Sequence, residues 1–269
     1  MKTGFSAFFF FLFLFCAFLL PADITVVGSL THEYSIDPGE TIDGSIRIQN
    51  SGNEPEEVKL YLTDYASAAD GSHYYLDPNT TPRSNASWIT LSPRRVTIPA
   101  GETYSARYSL TTPNDKSLGG TYWSMLMIEP IPKDSPESSG YNPETVTVGI
   151  TTVLRYGIRM ITHFEGAEPA QPEIENAAVI REEDKRFLHV DITNAGNRLL
   201  RVDLWAELYT QDGEYVGNYP GEKLAVFPGS SIRFKVNLSK VPKNRYLALV
   251  VMDCGNNDVF GVQYTLDLE

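Results

Sequence analysis

A unit of strand, Asn-x-Gly-Asn turn and strand occurs twice in this chain, and this repeat constrains the fold more than any other feature. The first copy lies in residues 44–62 and the second in residues 189–205. On both sides of each turn, apolar side chains alternate with polar ones, as in a strand with one buried face. Glycine and asparagine adopt positive φ easily, so we expect them to supply that conformation in both turns.

Two further pairs of segments follow in the same order. Residues 96–108 and 224–234 each read as a strand, a Pro/Gly corner and another strand, and residues 121–128 and 245–252 are matching apolar strands. A shared order of blocks argues against chance similarity between two β-rich segments. The sequence therefore predicts an all-β chain of two tandem immunoglobulin-like β-sandwich domains.

Residues 1–22 have the composition of a signal peptide. They contain an early positive charge at Lys2, an uncharged apolar run over residues 8–20 and Ala22 before polar sequence. The run is shorter than the roughly 20 residues of a membrane span. We expect cleavage after Ala22 and no membrane span in the mature chain, although an uncleaved anchor stays open because Leu20 suits the cleavage site poorly. Export predicts a periplasmic, extracellular or cell-surface location.

The two domains are expected to meet in a polar, proline-bearing segment without alternation, residues 163–173. We therefore predict one immunoglobulin-like sandwich over residues 23–164 and a second over residues 165–269. Without residues 1–22, Cys254 is the single cysteine, so no intrachain disulfide can form. Its apolar neighbours in residues 249–252 predict that Cys254 is buried.

Composition and motifs argue against several functions. A formal net charge of −12 disfavours nucleic acid and anionic membranes as partners. The four histidines stand apart from Cys, Asp and Glu at ligand spacing, so no metal site is predicted. The sequence has no nucleophile elbow, phosphate loop or calcium loop, and Asp70-Gly71 and Asp212-Gly213 read as hairpin turns. We expect a non-enzymatic protein without a cofactor.

The strongest functional signal is an alternating segment of about 18 residues, 144–161. Strands in globular proteins usually contain only about 5 to 6 residues. A strand of this length can present an edge that accepts a partner's strand, or it can simply belong to the core of the first sandwich. Arg155 and Arg159 share one parity, roughly 13 Å apart at the rise of a strand. Each is either a solvated surface charge or an anchor for a carboxylate. The residues of the opposite parity that would line one face are Val148, Ile150, Thr152 and Leu154.

Three segments of the first half carry a family resemblance. Residues 89–102 contain an apolar strand and a Pro-Gly corner, residues 122–132 form an aromatic strand that ends in an Ile-Pro pair, and residues 154–160 end the long alternating segment. Together they resemble the periplasmic chaperones of pilus assembly, the PapD-type family of two-domain immunoglobulin-like proteins. The second half matches this family only as a generic sandwich.

The resemblance implies that Arg159 binds the carboxyl terminus of a bound subunit. It also implies that Val148, Ile150, Thr152 and Leu154 form a strand donated to an incomplete subunit. Arginine keeps the charge of the family's lysine and adds a bidentate fork. The family's first strand brings a second basic residue, whereas residues 31–35 offer only His32, and Met127 stands where the family usually has asparagine.

The leading hypothesis is an exported chaperone-like or scaffold protein that holds extended segments of secreted or pilus-type subunits by strand addition. The alternative is a cell-surface adhesion or glycan-binding module. For that function the candidate contacts are aromatic residues expected on loops, namely Trp88, Tyr74, Tyr75 and Tyr141.

Overall fold

The structure is a computed structural model that describes residues 23–140 and 152–268. The predicted signal peptide lies outside these residues. The described elements are β-strands and one short 3-10 helix, Ala86–Trp88. In the described part of the chain, no helix is long and apolar enough to cross a membrane. The predicted all-β class is confirmed, and the strands form two tandem sandwiches.

The first sandwich contains these strands: β1 (Ile24–Val27), β2 (Thr31–Ser35), β3 (Thr41–Asn50), β4 (Glu56–Ser67), β5 (His73–Leu76), β6 (Ile89–Ser92), β7 (Arg95–Ile98), β8 (Thr103–Thr111), β9 (Gly120–Pro130) and β10 (Tyr156–Phe164). One sheet has the order β1-β3-β8-β6. The facing sheet has the order β2-β10-β9-β4-β5, and β7 also pairs with β4. Strands β2 and β10 run parallel.

The second sandwich contains these strands: β11 (Pro172–Glu182), β12 (Lys185–Asn194), β13 (Leu200–Tyr209), β14 (Tyr215–Val226), β15 (Ser231–Asn237), β16 (Arg245–Asp253) and β17 (Val259–Asp267). One sheet has the order β11-β12-β15 and the other β14-β13-β16-β17. Along β13 the alternating residues Leu200, Val202, Leu204, Ala206 and Leu208 are buried. Burial of such a row, at roughly 25 cal/mol per Å² of apolar surface, drives the sheets together. Cys254 is buried, as predicted.

The two Asn-x-Gly-Asn turns are present, but the predicted source of their shape is wrong. Neither Gly52 nor Gly196 has a positive φ. A buried asparagine closes each turn instead: Oδ1 of Asn50 accepts from the Gly52 N–H at 2.9 Å, and Oδ1 of Asn194 accepts from the Gly196 N–H at 3.0 Å. In contrast, Gly71 and Gly213 have φ values of 89° and 86° in the two hairpin turns, as expected for Asp-Gly turns.

The prediction of one long strand over residues 144–161 is wrong for its described part before β10. Residues 152–155 have no strand conformation, and β10 begins at Tyr156, which pairs with Ile128 of β9. Within the described residues, no strand pairs with residues 152–155 on either side, and alternation without a neighbouring strand does not form a ladder. Residues 144–151 lie outside the described residues.

An apolar cluster joins the two sandwiches. Trp123 of β9 stacks on Phe227 of the second sandwich with ring centroids 4.7 Å apart, and Ile161 of β10 and Leu199 are buried in the same cluster. Backbone bonds cross the same contact, since the Thr121 N–H donates to the carbonyl of Asn197 at 2.8 Å. This packing fixes the sandwiches against each other and leaves a cleft beside the contact.

Candidate binding cleft between the sandwiches

The cleft has a volume of about 790 Å³ and is lined by both sandwiches. The first sandwich contributes the outer face of β4 and β10 and the hairpin between β4 and β5. The second contributes residues of β11, β12, β13, β14 and β15. The hairpin reaches the second sandwich directly, because the Ala69 N–H donates to Ser231 Oγ at 3.0 Å. The hairpin therefore bridges the two sandwiches at the cleft.

Cationic side chains line this cleft in a protein that is acidic overall. They are Arg159, Arg201, Lys223, Arg233 and Lys235. The ion pairs that neutralise them are Arg201 with Glu33 at 2.6 Å, Lys223 with Asp203 at 2.5 Å, Arg233 with Asp191 at 2.7 Å and Lys235 with Glu182 at 2.6 Å. Arg159 differs from the others, because its guanidinium has no ion pair with a carboxylate of the described residues.

The strand pattern directs Arg159 into the cleft. Its neighbours Ile158 and Met160 are fully buried in the core of the first sandwich. Because side chains alternate along a strand, Arg159 points to the opposite, outer face of β10, which the second sandwich faces. Arg159 lies opposite Thr31 of β2 and Met125 of β9.

Strand β10 has an open edge immediately before Arg159. Pairing with β2 starts at Arg159, whose N–H donates to the carbonyl of Leu30 at 2.9 Å. From Tyr156 to Ile158, β10 pairs only with β9 among the described residues. Backbone groups of equal parity point the same way along a strand, so those of Gly157 face the open side. Such unpaired groups can accept a further strand.

Tyr65 of β4 and His73 of β5 line the cleft beside Arg159. The Tyr65 hydroxyl lies 2.9 Å from His73 Nδ1, and the two rings stack with centroids 5.9 Å apart. Burial raises the pKa of the Tyr65 hydroxyl, and the neighbouring Arg159 charge acts against that rise. Arg159 therefore faces a buried hydroxyl within reach of its electrostatic field.

The other predicted site residues lie elsewhere. Arg155 is exposed outside the strand, with its Nη1 atom 3.6 Å from Glu129 Oε2. Thr152 and Leu154 line a separate cavity of about 320 Å³ near Ile24 and Ile131, at the end of the first sandwich. Both are exposed. Val148 and Ile150 lie outside the described residues, so their predicted role stays a prediction.

The aromatic residues of the alternative function are dispersed. Trp88 is not a loop contact, because it is half-buried against Tyr122 and Phe164 at centroid distances of 5.0 and 5.8 Å. Tyr74 and Tyr75 are exposed, but they are adjacent in strand β5 and so point to opposite faces. Tyr141 lies outside the described residues. Trp88, Tyr74 and Tyr75 therefore form no common platform for a sugar.

Sequence reasoning missed the contributions of β4, β5 and the second sandwich to the cleft. Tyr65 and His73 flank the Asp70-Gly71 turn, so the predicted hairpin implies that the two residues lie close together. No local pattern indicated that both face Arg159. Among the described residues, no group of His, Cys, Asp and Glu is arranged to hold a metal ion.

Comparison with known proteins gives fold similarity alone. No family model matches the chain, and no curated protein matches it. Similar solved structures include a chaperone–tip adhesin complex of CFA/I fimbriae biogenesis, with 14% identity over 91% of this chain and 98% of that chain and a TM-score of 0.46. The class 5 fimbriae chaperone CfaA has 12% identity over 90% and 98% of the two chains, with a TM-score of 0.46.

A third similar structure is the CsuC–CsuE chaperone–tip adhesion subunit pre-assembly complex of Acinetobacter baumannii, with 15% identity over 90% and 98% of the chains and a TM-score of 0.44. Each of these structures contains a chaperone of fimbriae or pili, the class that the sequence motifs resemble. At this level of identity and TM-score the similarities carry no functional argument.

Proposed function

We propose that this protein is an exported, periplasmic chaperone-like protein that holds an extended segment of a secreted or pilus-type subunit. The segment adds to the open edge of β10, and its terminal carboxylate binds Arg159. One observation carries the proposal: among the described residues, Arg159 is the cleft cation without a carboxylate partner, and it directly follows the unpaired edge at Gly157.

The two parts of the site supply different kinds of recognition. Backbone N–H and C=O groups at the β10 edge bind any extended segment, because such bonds do not depend on side-chain identity. A guanidinium binds a carboxylate through two parallel hydrogen bonds, which fixes both position and direction. Strand addition with an anchored end therefore selects extended chains that terminate at the cleft.

The residues that precede the open edge extend the same proposal. Val148, Ile150, Thr152 and Leu154 would supply alternate side chains to the bound subunit, as the family resemblance implies. Leu154 is 52% exposed, which makes an apolar side chain available for burial by a partner. The protein holds its partner and catalyses no reaction in this scheme.

The test compares Arg159→Glu with Arg155→Glu, a charge reversal at another exposed arginine only four positions away, just before β10 begins. The probe is a fluorescent peptide of alternating Val and Thr with a free carboxyl terminus, measured by fluorescence anisotropy. Loss of a charge-assisted carboxylate contact should weaken binding by about tenfold or more in Arg159→Glu. Arg155 is already paired with Glu129, so Arg155→Glu should remain within about twofold of wild type.

A second readout uses secreted subunits themselves. Pilin-like subunits co-expressed with the protein should be recovered from the periplasm with wild type and Arg155→Glu, and poorly with Arg159→Glu. Equal recovery with all three proteins would show that Arg159 is not an anchor. Peptide binding unchanged by Arg159→Glu would lead to the same conclusion.

A further inference from the structure

The proposed carboxylate site at Arg159 has polar neighbours that no local sequence pattern indicates. Among the described residues, Arg159 is the only cation of the cleft without a carboxylate partner, and β2 places the uncharged Thr31 opposite it. A lone guanidinium on a cleft wall leaves one side of a bound carboxylate without a protein donor. The groups that face that side belong to β4 and β5.

Tyr65 and His73 form a hydrogen-bonded pair whose donor can reverse. With His73 Nδ1 as acceptor, the Tyr65 hydroxyl donates to it across 2.9 Å. With the proton on Nδ1, His73 donates to Tyr65 Oη, and the tyrosine proton is free to donate to a ligand oxygen. The bond between the two residues is kept in both arrangements, so the pair can offer a donor to the cleft without losing an interaction.

A buried hydroxyl beside this pair also lacks a partner. Ser67 follows Tyr65 by two positions on β4 and lies opposite His73 in the ladder, so all three side chains share one face of the sheet. Ser67 is 6% exposed, lines the cleft, and its Oγ has no hydrogen-bond partner among the described residues. Buried polar atoms are nearly always satisfied, so an orphan donor in a cleft indicates a place for a ligand oxygen.

We infer that Tyr65, His73 and Ser67 complete the carboxylate site of Arg159, with hydroxyl donors in the place of a second cation. This inference rests on the proposed function and specifies its ligand. Within this set of four residues Arg159 is the one guanidinium and hydroxyls supply further donors, so the set balances a monoanion, whereas a phosphate would bring it a second negative charge without compensation. The ligand class is a carboxylate, from either a chain terminus or an acidic side chain.

Acetate tests the site without any peptide. The protein, labelled with ¹⁵N, is titrated with sodium acetate, with acetamide as the neutral control, and the Arg159 Nε–H and His73 ring signals are followed by NMR. We expect acetate to shift both signals with one midpoint and acetamide to shift neither. Loss of one hydroxyl to an anion should raise the midpoint about tenfold in Tyr65→Phe. Ser67→Ala should raise it by a smaller factor.

Tyr75→Phe is the matched control, because Tyr75 is a neighbouring tyrosine on β5 whose ring lies 5.6 Å from that of Tyr65. Its acetate midpoint should equal that of wild type. The inference is overturned if acetate moves the Arg159 signal while His73 stays fixed, if Tyr65→Phe keeps the wild-type midpoint, or if acetate does not bind. Retention of the Arg159 signal in Tyr65→Phe confirms that the variant is folded.

Peptides then distinguish a terminal carboxylate from an acidic side chain. They also distinguish a failure of this inference from a failure of the proposed strand-holding function. The Val/Thr peptide with a free terminus should bind more tightly than its amide, and Tyr65→Phe should reduce that preference about tenfold while the amide affinity stays unchanged. A preference for an amidated peptide with a penultimate Glu would assign the site to acidic side chains. Acetate binding without any peptide binding would overturn strand holding and leave the composite site intact.

Discussion

Asn50 of the first sandwich and Asn194 of the second make the same set of hydrogen bonds. Asn50 Nδ2 donates to the carbonyls of Glu54 and Ile98 at 2.8 and 2.9 Å. Asn194 Nδ2 donates to the carbonyls of Arg198 and Val226 at 2.8 and 2.9 Å. Both side chains are fully buried. The repeat seen in the sequence is thus a repeat of a buried amide that ties a turn to the next Pro/Gly corner.

Removal of either amide should destabilise the protein markedly. Asn50→Ala leaves the carbonyls of Glu54 and Ile98 and the Gly52 N–H without their partner, which costs about 3 kcal/mol. Asn50→Asp should cost at least as much at neutral pH, because a carboxylate keeps the acceptor and loses the donor. Urea unfolding followed by tryptophan fluorescence measures the change.

The exposed neighbour Asn53 provides the control for this experiment. Asn53→Ala should alter the free energy of unfolding by no more than about 0.5 kcal/mol, since exposed positions contribute little. If Asn50→Ala were as stable as Asn53→Ala, the buried amide would not hold the turn.

This comparison also shows which parts of the fold the sequence could predict. Alternation and turn composition are local features of the sequence, so they predict the repeat and the sandwich class. The role of Asn50 was not, because its bond to Ile98 joins residues 48 positions apart. The predicted strand over residues 144–161 is too long for a related reason. Alternation continues through residues 152–155, but among the described residues no strand pairs with them.

Only part of the candidate site could be predicted from the sequence, for the same physical reason. Arg155 and Arg159 share parity and charge, and the sequence offered both as anchors. Their difference arises from residues distant in the chain: Glu129 lies near Arg155, while β2 pairs with β10 from Arg159 onward and the second sandwich lines the same cleft as Arg159. Tyr65, His73 and Ser67 were not found, because their relation to Arg159 depends on the order of four strands.

Substitution of Gly120 should disrupt the contact between the sandwiches. Its φ is +76°, and a Cβ there would lie 2.1 Å from the carbonyl oxygen of Asn197. Gly120→Ala should therefore cost about 3 kcal/mol or more and separate the two sandwiches. Calorimetry measures the loss of stability, and small-angle X-ray scattering measures the change in shape.

Gly166 isolates the steric part of that effect. It has the same φ of +76°, but a Cβ would meet nothing within 4 Å. Gly166→Ala should cost only the backbone strain, about 1 kcal/mol, with an unchanged scattering profile. Equal losses in the two variants would mean that the Asn197 contact is unimportant.

The buried Cys254 thiol should be unreactive in the folded protein. Burial raises its pKa to about 11, so little of the nucleophilic thiolate exists at pH 8. In a Cys16→Ser background, we expect the Ellman reaction to be at least about a hundredfold slower in buffer than in urea. Rapid reaction in buffer would show that the core around Cys254 opens readily.

Glu33 should make the inter-sandwich contact sensitive to acid. Its carboxylate accepts from Arg201 of the second sandwich at 2.6 Å and lies 2.7 Å from His163 Nε2. Burial raises the pKa of Glu33, but the bonds from Arg201 and His163 outweigh burial and hold it below the ordinary 4.5. A carboxylate with a lowered pKa stabilises the fold above the unfolded pKa, and this contribution is lost as pH falls through the folded value.

Thermal unfolding from pH 7 to pH 3 should therefore show a pH-dependent gap between wild type and Glu33→Gln. The gap is fully present above about pH 4.5 and closes as pH falls further, because wild type loses its ion pair there while the glutamine variant has none to lose. Glu173→Gln, at an exposed site without an ion pair among the described residues, should track wild type throughout. A gap that stayed open down to pH 3 would contradict this assignment, because the stabilisation by Glu33 would then not depend on its charge.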